Sequence, residues 1–430
     1  MPRRLPGHLA VLITGLAMLL AAQPASASAS RSAAAWTGTW AAAPSAVPAS
    51  STLAFEEQTL RQVVRTSVAG RGVRVRLTNE FGATPLVIGE ARVALAAPGE
   101  PGGIRPGTDR PLRFGGRTSV TVPPGARRWS DPVALDLPAG ADLTVSTYLP
   151  RRTPATTVHN LAYQHGWVAP GNVTGKPAVE PTATVTTWYF LSGVSVTGGP
   201  RAGRSRAVVA FGDSITDGAE TTLGANRRWP DRLAERFRTD PASARLGVLN
   251  AGISGNRLLR DPRPPAGTPA EDYAAFFGEA GLKRFERDVL DQPGAGYVVV
   301  LLGVNDIGQP GGPAAPADEE VTAAEVIEGH RRLVAMAHRH GLKAYGATIM
   351  PFEGDDLGFH TPEREAKRRA VNAWIRTGGV YDAVVDFDAA TRDPAHPARL
   401  LPAYDSGDGL HPNDAGMKAM ADAVPLRLFR

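Results

Sequence analysis

The residues best suited to covalent chemistry in this sequence are a serine and a histidine that lie far apart in the chain. Ser214 follows the apolar run Ala207–Phe211 and the pair Gly212-Asp213, which predicts a buried strand that ends in a polar turn. His411 stands three residues after Asp408. At that spacing, the aspartate can orient the imidazole while the other ring nitrogen takes the proton of a serine hydroxyl. The pattern favours nucleophilic catalysis by Ser214, with His411 as base and Asp408 as the orienting acid.

Acyl transfer by a serine also needs hydrogen-bond donors for the oxyanion that forms in the reaction. Gly255 follows a second short apolar run, and because it lacks a Cβ its amide can approach a substrate oxygen closely. Asn305 follows a third apolar run and offers a side-chain amide. With the amide of Ser214 itself, these groups are predicted to form an oxyanion hole of three donors.

Other aspartates stand beside the candidate residues. Asp213 and Asp306 are predicted to accept backbone amides and to fix the geometry of their loops. Asp405 is an alternative acid, although Asp408 has the better spacing to the histidine. Each segment taken alone would be interpreted as a turn or a helix cap. The catalytic prediction therefore depends on all of them following strands of one sheet.

The candidate residues lie in loops that a parallel sheet would bring together. From residue 207 onward, apolar strands alternate with helices, which predicts a parallel sheet covered by helices on both faces. Ligands of such sheets bind at the carboxyl ends of the strands. The predicted strands are 207–211, 247–250, 297–302, 343–348 and 383–386, and the predicted helices lie near Pro230, at 282–289, 321–340 and 362–376, with a last helix that opens at Pro412.

Residues 30–198 are predicted to form an antiparallel β-sandwich-like accessory domain. Short runs of alternating or β-branched residues are separated by Gly and Pro turns, and no helical period is present. The stretch 199–206 is rich in Gly and Arg and is predicted to link this domain to a second domain, 207–430. The predicted strands of the first domain are 62–66, 73–77, 91–95, 118–122, 143–149 and 186–196.

Residues 1–29 have the composition of a signal peptide. Two arginines precede the apolar run Leu9–Ala22, and small residues at Ala25–Ala27 or Ala27–Ala29 offer two cleavage sites. The apolar run is short for a bilayer span, so no stable membrane span is expected. We expect a secreted protein, and the general secretory and twin-arginine routes both stay open.

Composition excludes several classes of function. The chain of 430 residues has no cysteine, so disulfides, thiolate metal sites and a cysteine nucleophile are excluded. The formal net charge is +5, but the basic residues form no cluster with interleaved aromatics, so nucleic acid is not an expected partner. His330, His338 and His340 lack the spacing of a zinc site. No metal or cofactor is therefore expected.

The four segments together resemble the GDSL family of SGNH hydrolases. The four residues that name this superfamily fall on Ser214, Gly255, Asn305 and His411, and Asp408 falls on the acid of its Asp-x-x-His segment. The similarity covers roughly 207–430. It implies a flavodoxin-like three-layer α/β/α domain and ester hydrolysis without a metal. The segments around residues 254–257 and 305–308 are similar to the branch of acylhydrolases found beside xylan-degrading genes.

The sequence thus predicts a secreted serine esterase that acts on acetyl or other short acyl or aryl esters, as small molecules or on plant or cell-wall carbohydrate. Two alternatives stay open. The enzyme could be a lipase or phospholipase, or the β-rich domain could make the protein chiefly a polysaccharide-binding surface protein. In the insertion 258–278, the aromatic residues Tyr273, Phe276 and Phe277 are predicted either to line an acyl or aryl pocket or to pack against the sheet. The tryptophans that could stack on sugars are Trp36, Trp40, Trp129, Trp167 and Trp188.

Overall fold

Short strands dominate the first part of the chain because apolar and β-branched residues alternate there between Gly and Pro turns. The computed structural model describes residues 36–198 and 206–430. The predicted signal peptide and all but the last residue of the predicted linker lie outside the described residues. The strands of the first part are β1 (Trp36–Ala41), β2 (Ser45–Ala46), β3 (Ala54–Phe55), β4 (Gln58–Arg65), β5 (Gly70–Thr78), β6 (Leu86–Ile88), β7 (Glu90–Leu95), β8 (Arg110–Pro111), β9 (Val120–Val122), β10 (Arg127–Trp129), β11 (Val133–Leu137), β12 (Asp142–Leu149), β13 (Thr153–Pro154), β14 (Thr157–His159), β15 (Gly166–Pro170), β16 (Ala183–Val185), β17 (Trp188–Tyr189) and β18 (Leu191–Thr197).

These strands form two main antiparallel sheets around a common apolar core. One sheet has the order β1-β18-β5-β10, with β11 also paired to β5, and the other has the order β16-β15-β4-β12-β7-β8. Side chains of both sheets, such as Val75 on β5 and Val145 on β12, belong to one buried cluster. The predicted antiparallel β-rich fold of this region is confirmed. We call residues 36–198 the β-rich region.

One predicted strand of the β-rich region is interrupted. The run 186–196 was expected to be continuous, but it is divided between β17 and β18. Phe190, which lies between the two strands, has a φ of 57°. A residue in the left-handed region cannot continue the pleat of a strand, so the chain changes sheets at this point.

The second part of the chain forms a parallel sheet. Its strands are β19 (Ala207–Gly212), β20 (Gly247–Gly252), β21 (Ala295–Leu301), β22 (Lys343–Ala347) and β23 (Ala383–Val385). Their spatial order is β20-β19-β21-β22-β23, and all neighbours are parallel. This is the flavodoxin-like order, in which ligands bind outside the carboxyl ends of the strands beside the first one. The predicted α/β fold is confirmed.

Helices cover the parallel sheet. They are α1 (Ser214–Asp217), α2 (Trp229–Thr239), α3 (Gly281–Phe285), α4 (Val304–Gly308), α5 (Ala323–Arg339), α6 (Pro362–Thr377), α7 (Phe387–Thr391) and α8 (Asp414–Ala423). In α5 the apolar side chains at helical spacing, among them Val326, Leu333 and Val334, are buried against the sheet. The helix begins with a capping box formed by Thr322 and Glu325.

The start of the last helix differs from the prediction. Pro412 was expected to open it, but α8 begins at Asp414 and Asn413 is its N-cap, whose side chain accepts the amides of Ala415 and Gly416. Pro412 instead forms an antiparallel bridge with Asp405.

The β-rich region contacts the parallel sheet through backbone and side-chain hydrogen bonds. The Gly38 amide of β1 donates to the Pro293 carbonyl at 2.7 Å, and the Val248 amide of β20 donates to Ser67 Oγ at 2.9 Å. The two parts form one compact unit. The exact domain boundaries at 198 and 207 stay a prediction. Within residues 36–198 and 206–430, no helix has both the length and the apolar character needed to cross a bilayer.

Candidate active site

Ser214 lies where the first parallel strand meets the first helix. It is the first residue of α1, so its amide has no acceptor within the helix. Asp213 is the N-cap, and its Oδ1 accepts the Ile215 amide at 3.1 Å. Asp213 is buried, and burial raises the pKa of its carboxyl to about 7. It acts on the loop geometry, as expected, and does not contact the serine hydroxyl.

The turn before the serine requires glycine. A Cβ on Gly212 would lie 2.2 Å from Thr216 Oγ1 and 2.7 Å from the Leu301 carbonyl oxygen. Any larger residue would therefore push α1 away from the sheet. The position of Ser214 follows from this close approach.

His411 joins Ser214 to Asp408 through its two ring nitrogens. Nε2 lies 2.9 Å from Ser214 Oγ, and Nδ1 lies 2.5 Å from Asp408 Oδ2. The other oxygen of Asp408 accepts the amides of Leu410 and His411 at 2.9 and 2.7 Å. Burial alone would raise the pKa of Asp408, but these hydrogen bonds outweigh it and hold the pKa well below its usual range. The carboxylate is therefore ionised and faces the imidazole.

Asp405, the alternative acid, has a different role. Its Oδ1 accepts the amides of Gly407 and Gly409 at 2.9 and 3.1 Å. These bonds close the loop that carries His411. Asp408 is thus the carboxylate that contacts the histidine ring.

Asn305 and Gly255 border the same cavity as the serine and the histidine. Asn305 Nδ2 donates to the Asn256 carbonyl at 3.0 Å, and its Oδ1 accepts a bond from Gln309 Nε2 at 3.0 Å. This contact uses one of the two N–H groups of the Asn305 amide. Gln309 Nε2 also donates to the Gly255 carbonyl at 2.8 Å. Gln309 therefore links two of the three predicted oxyanion donors.

Gly255 has a backbone conformation that favours glycine. Its φ is 78°, and a Cβ at this position would lie 2.2 Å from the ring of Phe277. The ring of Phe277 therefore packs directly on the Gly255 backbone. Any side chain at 255 would displace one or the other.

Two buried charged residues support these loops from behind. Asp306 accepts the amides of Leu258 and Leu259 at 2.7 and 2.9 Å, which agrees with its expected role in loop geometry. Arg284 is fully buried, and burial lowers the pKa of its guanidinium to about 10. It donates to the carbonyls of Gly212 and Ala251 and to the Asn256 side chain, at 2.7, 2.8 and 2.9 Å. Arg284 thus joins the ends of β19 and β20.

Gln309 and Arg284 are not recognisable as site residues from the sequence alone. Gln309 follows Asn305 at helical i, i+4 spacing, which is a usable signal only if 304–308 is known to be helical. Arg284 stands among apolar helix positions and gives no sign that it is buried. Both residues act through contacts between loops that are distant in the chain.

The cavity beside Ser214 has a volume of about 500 Å³. Its lining is mainly apolar and includes residues from both parts of the chain. Tyr273 and Phe277 of the insertion line it, while Phe276 packs against the core of the β-rich region. The packing of Phe276 is thus against the β-rich region, where the sequence predicted the sheet, and the use of the cavity for an acyl or aryl group stays a prediction. The remaining lining residues are Leu161, Tyr163, Ser214, Ala219, Glu220, Ser254, Gly255, Asn305, Gly308, Gln309, Pro310, Gly311, Gly312, Pro313, Ala314, Leu357, Gly358, Phe359, Arg364, Leu410 and His411.

The histidines on α5 and its C-terminus have structural contacts. His330 is buried with its Nδ1 2.6 Å from the Tyr381 hydroxyl, and burial lowers its pKa to about 4. His338 pairs with Asp382 at 2.8 Å. Among the described residues there is no group of three or more histidine and carboxylate side chains arranged to hold a metal ion.

The tryptophans of the β-rich region are used mainly in packing. Trp40 and Trp188 are buried and meet edge to face, with ring centroids 4.9 Å apart. Arg74 lies over the rings of Trp36 and Trp129, at 4.3 and 4.4 Å from their centroids. These contacts give no support to a sugar-stacking surface.

The second part of the chain is an α/β/α fold in which a serine, a histidine and an aspartate meet at the carboxyl edge of the sheet. Residues 210–419 match the family described as GDSL-like lipase/acylhydrolase. The second part of the chain is therefore a GDSL-like lipase/acylhydrolase domain, and the resemblance inferred from the sequence is confirmed. The closer placement beside xylan-degrading genes stays a prediction. This family membership supports hydrolysis of esters.

Solved structures of similar fold come from several bacteria. A GDSL-like lipase from Bacteroides thetaiotaomicron is 18% identical, with 52% of this chain and 88% of that chain covered and a TM-score of 0.35. A carbohydrate acetylesterase from Sinorhizobium meliloti is 16% identical, with 52% and 98% covered and a TM-score of 0.38. An aryl esterase from M. smegmatis is 17% identical, with 52% and 98% covered and a TM-score of 0.38. A search of curated proteins found no match.

Proposed function

We propose that this protein is a secreted serine esterase that hydrolyses carboxylic esters through Ser214, His411 and Asp408. The observation that carries the proposal is the unbroken series of contacts from Asp408 through His411 to the Ser214 hydroxyl, at 2.5 and 2.9 Å. The series ends at a cavity large enough for a small ester. The same geometry serves nucleophilic catalysis in unrelated hydrolases.

The proposed reaction has two halves. Ser214 Oγ attacks the ester carbonyl carbon while His411 Nε2 takes its proton, and Asp408 stabilises the imidazolium that forms. The tetrahedral intermediate collapses when His411 returns the proton to the alcohol oxygen, which leaves as the free alcohol. Water then attacks the acyl-serine with His411 as base, and the acid departs as the serine hydroxyl is restored.

The negative charge of each tetrahedral intermediate is proposed to lie against the amides of Ser214 and Gly255 and the side chain of Asn305. A donor of this kind contributes roughly 3–4 kcal/mol to the stability of a transition state. Gln309 and the Asn256 carbonyl fix the orientation of the Asn305 amide, so little reorganisation is needed when charge develops.

The test is hydrolysis of p-nitrophenyl acetate by the Ser214→Ala variant. We expect the turnover number to fall by about 10⁴-fold or more with the thermal unfolding midpoint unchanged, because only the nucleophile is removed. Ser195→Ala is a matched control, since Ser195 is also buried and its hydroxyl has no hydrogen-bond partner in the described part of the chain. Retention of most activity in Ser214→Ala would contradict the proposal.

The proposed substrates are acetyl or other short acyl or aryl esters, free or attached to carbohydrate. A lipase or phospholipase activity is the alternative within the same chemistry. Contact with polysaccharide through the β-rich region stays a prediction. A release assay across acetylated xylan, aryl esters and phospholipids separates these substrates.

We also propose that residues 1–29 direct export and are removed. The composition of the segment supports this proposal. Mass analysis of the N-terminal peptide of the protein collected from the medium is expected to show a mature chain that begins after Ala27 or Ala29. A full-length chain retained inside the cells would contradict it.

A further inference from the structure

One loop of the β-rich region reaches the cavity of the hydrolase domain. Residues 159–165, called here the 159–165 loop, contribute Leu161 and Tyr163 to the lining that also contains Ser214 and His411. The β-rich region is therefore part of the wall around the proposed nucleophile. From the sequence, this region is expected to be an accessory domain with its own possible ligand.

Exposed apolar side chains are concentrated at this cavity. Leu161 is 42% exposed, Tyr273 37% and Leu357 60%, and all three line it. They account for three of the five large apolar residues that are exposed in the described ranges. Exposing such side chains to water is unfavourable, and a group of them around one concave site is typical of a surface that binds an apolar ligand.

The 159–165 loop is held firmly against the segment that follows the nucleophile. Four contacts hold the loop, and they involve a buried histidine, a buried glutamine and two backbone carbonyls. All four are contacts within the protein, so the loop is held in place without a bound substrate. The contacts join His159 Nε2 to Asp217 Oδ1 (2.9 Å), the Gly224 amide to the Tyr163 carbonyl (3.0 Å), Gln164 Nε2 to Asn226 Oδ1 (3.2 Å) and the Arg228 guanidinium to the Ala162 carbonyl.

The backbone of the loop is strained at the two lining residues. Leu161 has a φ of 53° and Tyr163 a φ of 45°. Glu220, which also lines the cavity, has a φ of 63°. Non-glycine residues in this region are costly and persist only where the surroundings hold them, and they are concentrated at ligand sites.

The lining carries two side chains of opposite formal charge, Glu220, which is exposed, and Arg364. The guanidinium of Arg364 donates to the carbonyls of Pro310, Gly358 and Phe359. It therefore joins two loops of the wall, and its N–H groups are directed to the protein.

We infer that Leu161 and Tyr163 determine substrate specificity by contacting the apolar part of the ester, which is either an acyl chain or an apolar alcohol group. The inference rests on the proposed esterase function and narrows its substrate class to esters that carry an apolar group larger than acetyl or ethyl. The loop is in place before the substrate binds, so little free energy is spent on ordering it. We therefore expect the gain in kcat/KM to be greatest for the bulkier esters.

The test compares two series of esters on Leu161→Asn and Tyr163→Asn. Asparagine tolerates the left-handed backbone better than other polar residues, so the loop is expected to keep its path. One series varies the acyl group (ethyl acetate, butyrate, hexanoate and octanoate), and the other varies the alcohol (ethyl, hexyl and naphthyl acetate). Leu53→Asn is the matched control, because Leu53 is a similarly exposed leucine of the β-rich region outside the cavity.

We expect the wild-type protein to have a higher kcat/KM for the bulkier esters of at least one series. Each variant is expected to lower this preference by about tenfold or more, while kcat/KM for ethyl acetate stays within about threefold. The series that changes identifies whether the acyl or the alcohol group meets the loop. Leu53→Asn is expected to leave both profiles unchanged.

A preference that survives in both variants, or a loss by the same factor for every ester, would overturn the inference. Leu161→Asn decides the matter if Tyr163→Asn fails to fold, because the leucine side chain is largely outside the core. Both proposals are supported if Ser214→Ala loses hydrolysis and Leu161→Asn loses the wild-type preference for bulkier esters. Absence of Ser214-dependent hydrolysis in the wild type contradicts the proposed function and this inference with it, whereas an unchanged profile in an active variant contradicts this inference alone.

Discussion

Gln309 shows how a single uncharged side chain can set the geometry of a proposed oxyanion hole. Its amide nitrogen donates to both the Asn305 side chain and the Gly255 carbonyl, at 3.0 and 2.8 Å. It is therefore a positioning residue, since it acts on the substrate only through these two donors. Removing it would leave the donors free to rotate or drift.

We predict that Gln309→Ala lowers kcat by about 10-fold to 100-fold with little change in KM, because the donors matter most when charge develops on the substrate. Asn305→Ala removes a donor outright and is expected to lower kcat by about 10²–10³. The measurement is steady-state hydrolysis of p-nitrophenyl acetate, together with the affinity for a boronic acid that mimics the tetrahedral intermediate. A fall in kcat without weaker boronate binding would show that Gln309 acts elsewhere.

At the residue scale, the sequence identified groups whose chemistry is visible from residue type and spacing. Asp408 and His411 lie three positions apart, so their contact is local and predictable. The contact of Ser214 with His411 spans the whole domain, and it could be predicted only because both follow strands of one parallel sheet. Gln309 gave no such sign, because its role depends on two loops that meet only in the folded chain.

At the element scale, the loop after β20 and the aromatic insertion are fitted to each other. The Phe277 ring packs on the backbone of Gly255, which is in the left-handed region at φ 78°. A larger residue at position 255 would therefore displace the Phe277 ring or the loop itself.

We predict that Gly255→Ala lowers both the stability and kcat, since the new Cβ would lie 2.2 Å from the Phe277 ring. The loss of stability is expected to be about 1–3 kcal/mol, from the clash and from the strained backbone. The double variant Gly255→Ala/Phe277→Ala relieves the clash but not the backbone strain, so it is expected to recover part of kcat. Urea unfolding and hydrolysis of ethyl acetate measure the two effects. No recovery in the double variant would assign the whole effect to the backbone.

Most elements of the parallel sheet were predictable, but several boundaries were not. Apolar runs such as that of β21 have strong buried-strand patterns, and α5 has a clear helical period. The division of the run 186–196 depends on Phe190, whose left-handed backbone has no signature in the residue type. The start of α8 at Asp414 depends on the bridge between Pro412 and Asp405, which is a tertiary contact. The local hydrophobic pattern thus predicted which helices and strands are present, whereas tertiary contacts determine where some of them begin and end.

At the scale of the whole molecule, a buried histidine connects the β-rich region to the hydrolase domain. His159 Nδ1 lies 2.8 Å from the Ala43 carbonyl and Nε2 lies 2.9 Å from Asp217 Oδ1, so both ring nitrogens face oxygen atoms. Burial alone would lower the pKa of His159, but Asp217 outweighs it and the pKa is raised. The other oxygen of Asp217 accepts the amide and hydroxyl of Ser254, the residue before Gly255. The His159 imidazole therefore supports, through Asp217, the loop of a proposed oxyanion donor.

We predict that His159→Gln lowers the free energy of unfolding by about 3–5 kcal/mol near pH 6, because it removes the basic partner of the buried Asp217, which then keeps its hydrogen bonds from Ser254. The pKa of His159 is raised in the folded state, so its stabilising effect is fully present below its unfolded pKa, about 6.5. The effect is lost as the pH rises through the folded pKa. Urea unfolding from pH 5 to pH 9 is expected to show a difference between wild type and variant that is largest at low pH.

The exposed His396 offers the control, since His396→Gln is expected to leave the unfolding free energy unchanged at every pH. A difference between wild type and His159→Gln that grows with pH would contradict the charged state assigned to His159. A variant as stable as the wild type would show that the two parts of the chain do not depend on this pair.

The relation between the two parts of the molecule was the least predictable feature. Composition separated a β-rich part from an α/β part, and both fold classes are as predicted. Their contacts arise from single residues, such as His159 and Leu161, within loops that have no regular pattern. The β-rich region contributes to the cavity beside Ser214 and contacts the segment that follows it, so it bears on the proposed function.

The central claim is that Ser214 is the nucleophile, and covalent labelling by ethyl p-nitrophenyl methylphosphonate tests it most directly. The Ser214 oxygen would displace p-nitrophenolate from phosphorus and form a stable phosphonyl-serine that resembles the tetrahedral intermediate. We predict one phosphonyl group per molecule on the peptide that contains Ser214, esterase activity that falls in proportion to labelling, and no label on Ser214→Ala. Inactivation with the label on another residue, or full activity in a protein labelled at Ser214, would contradict the account.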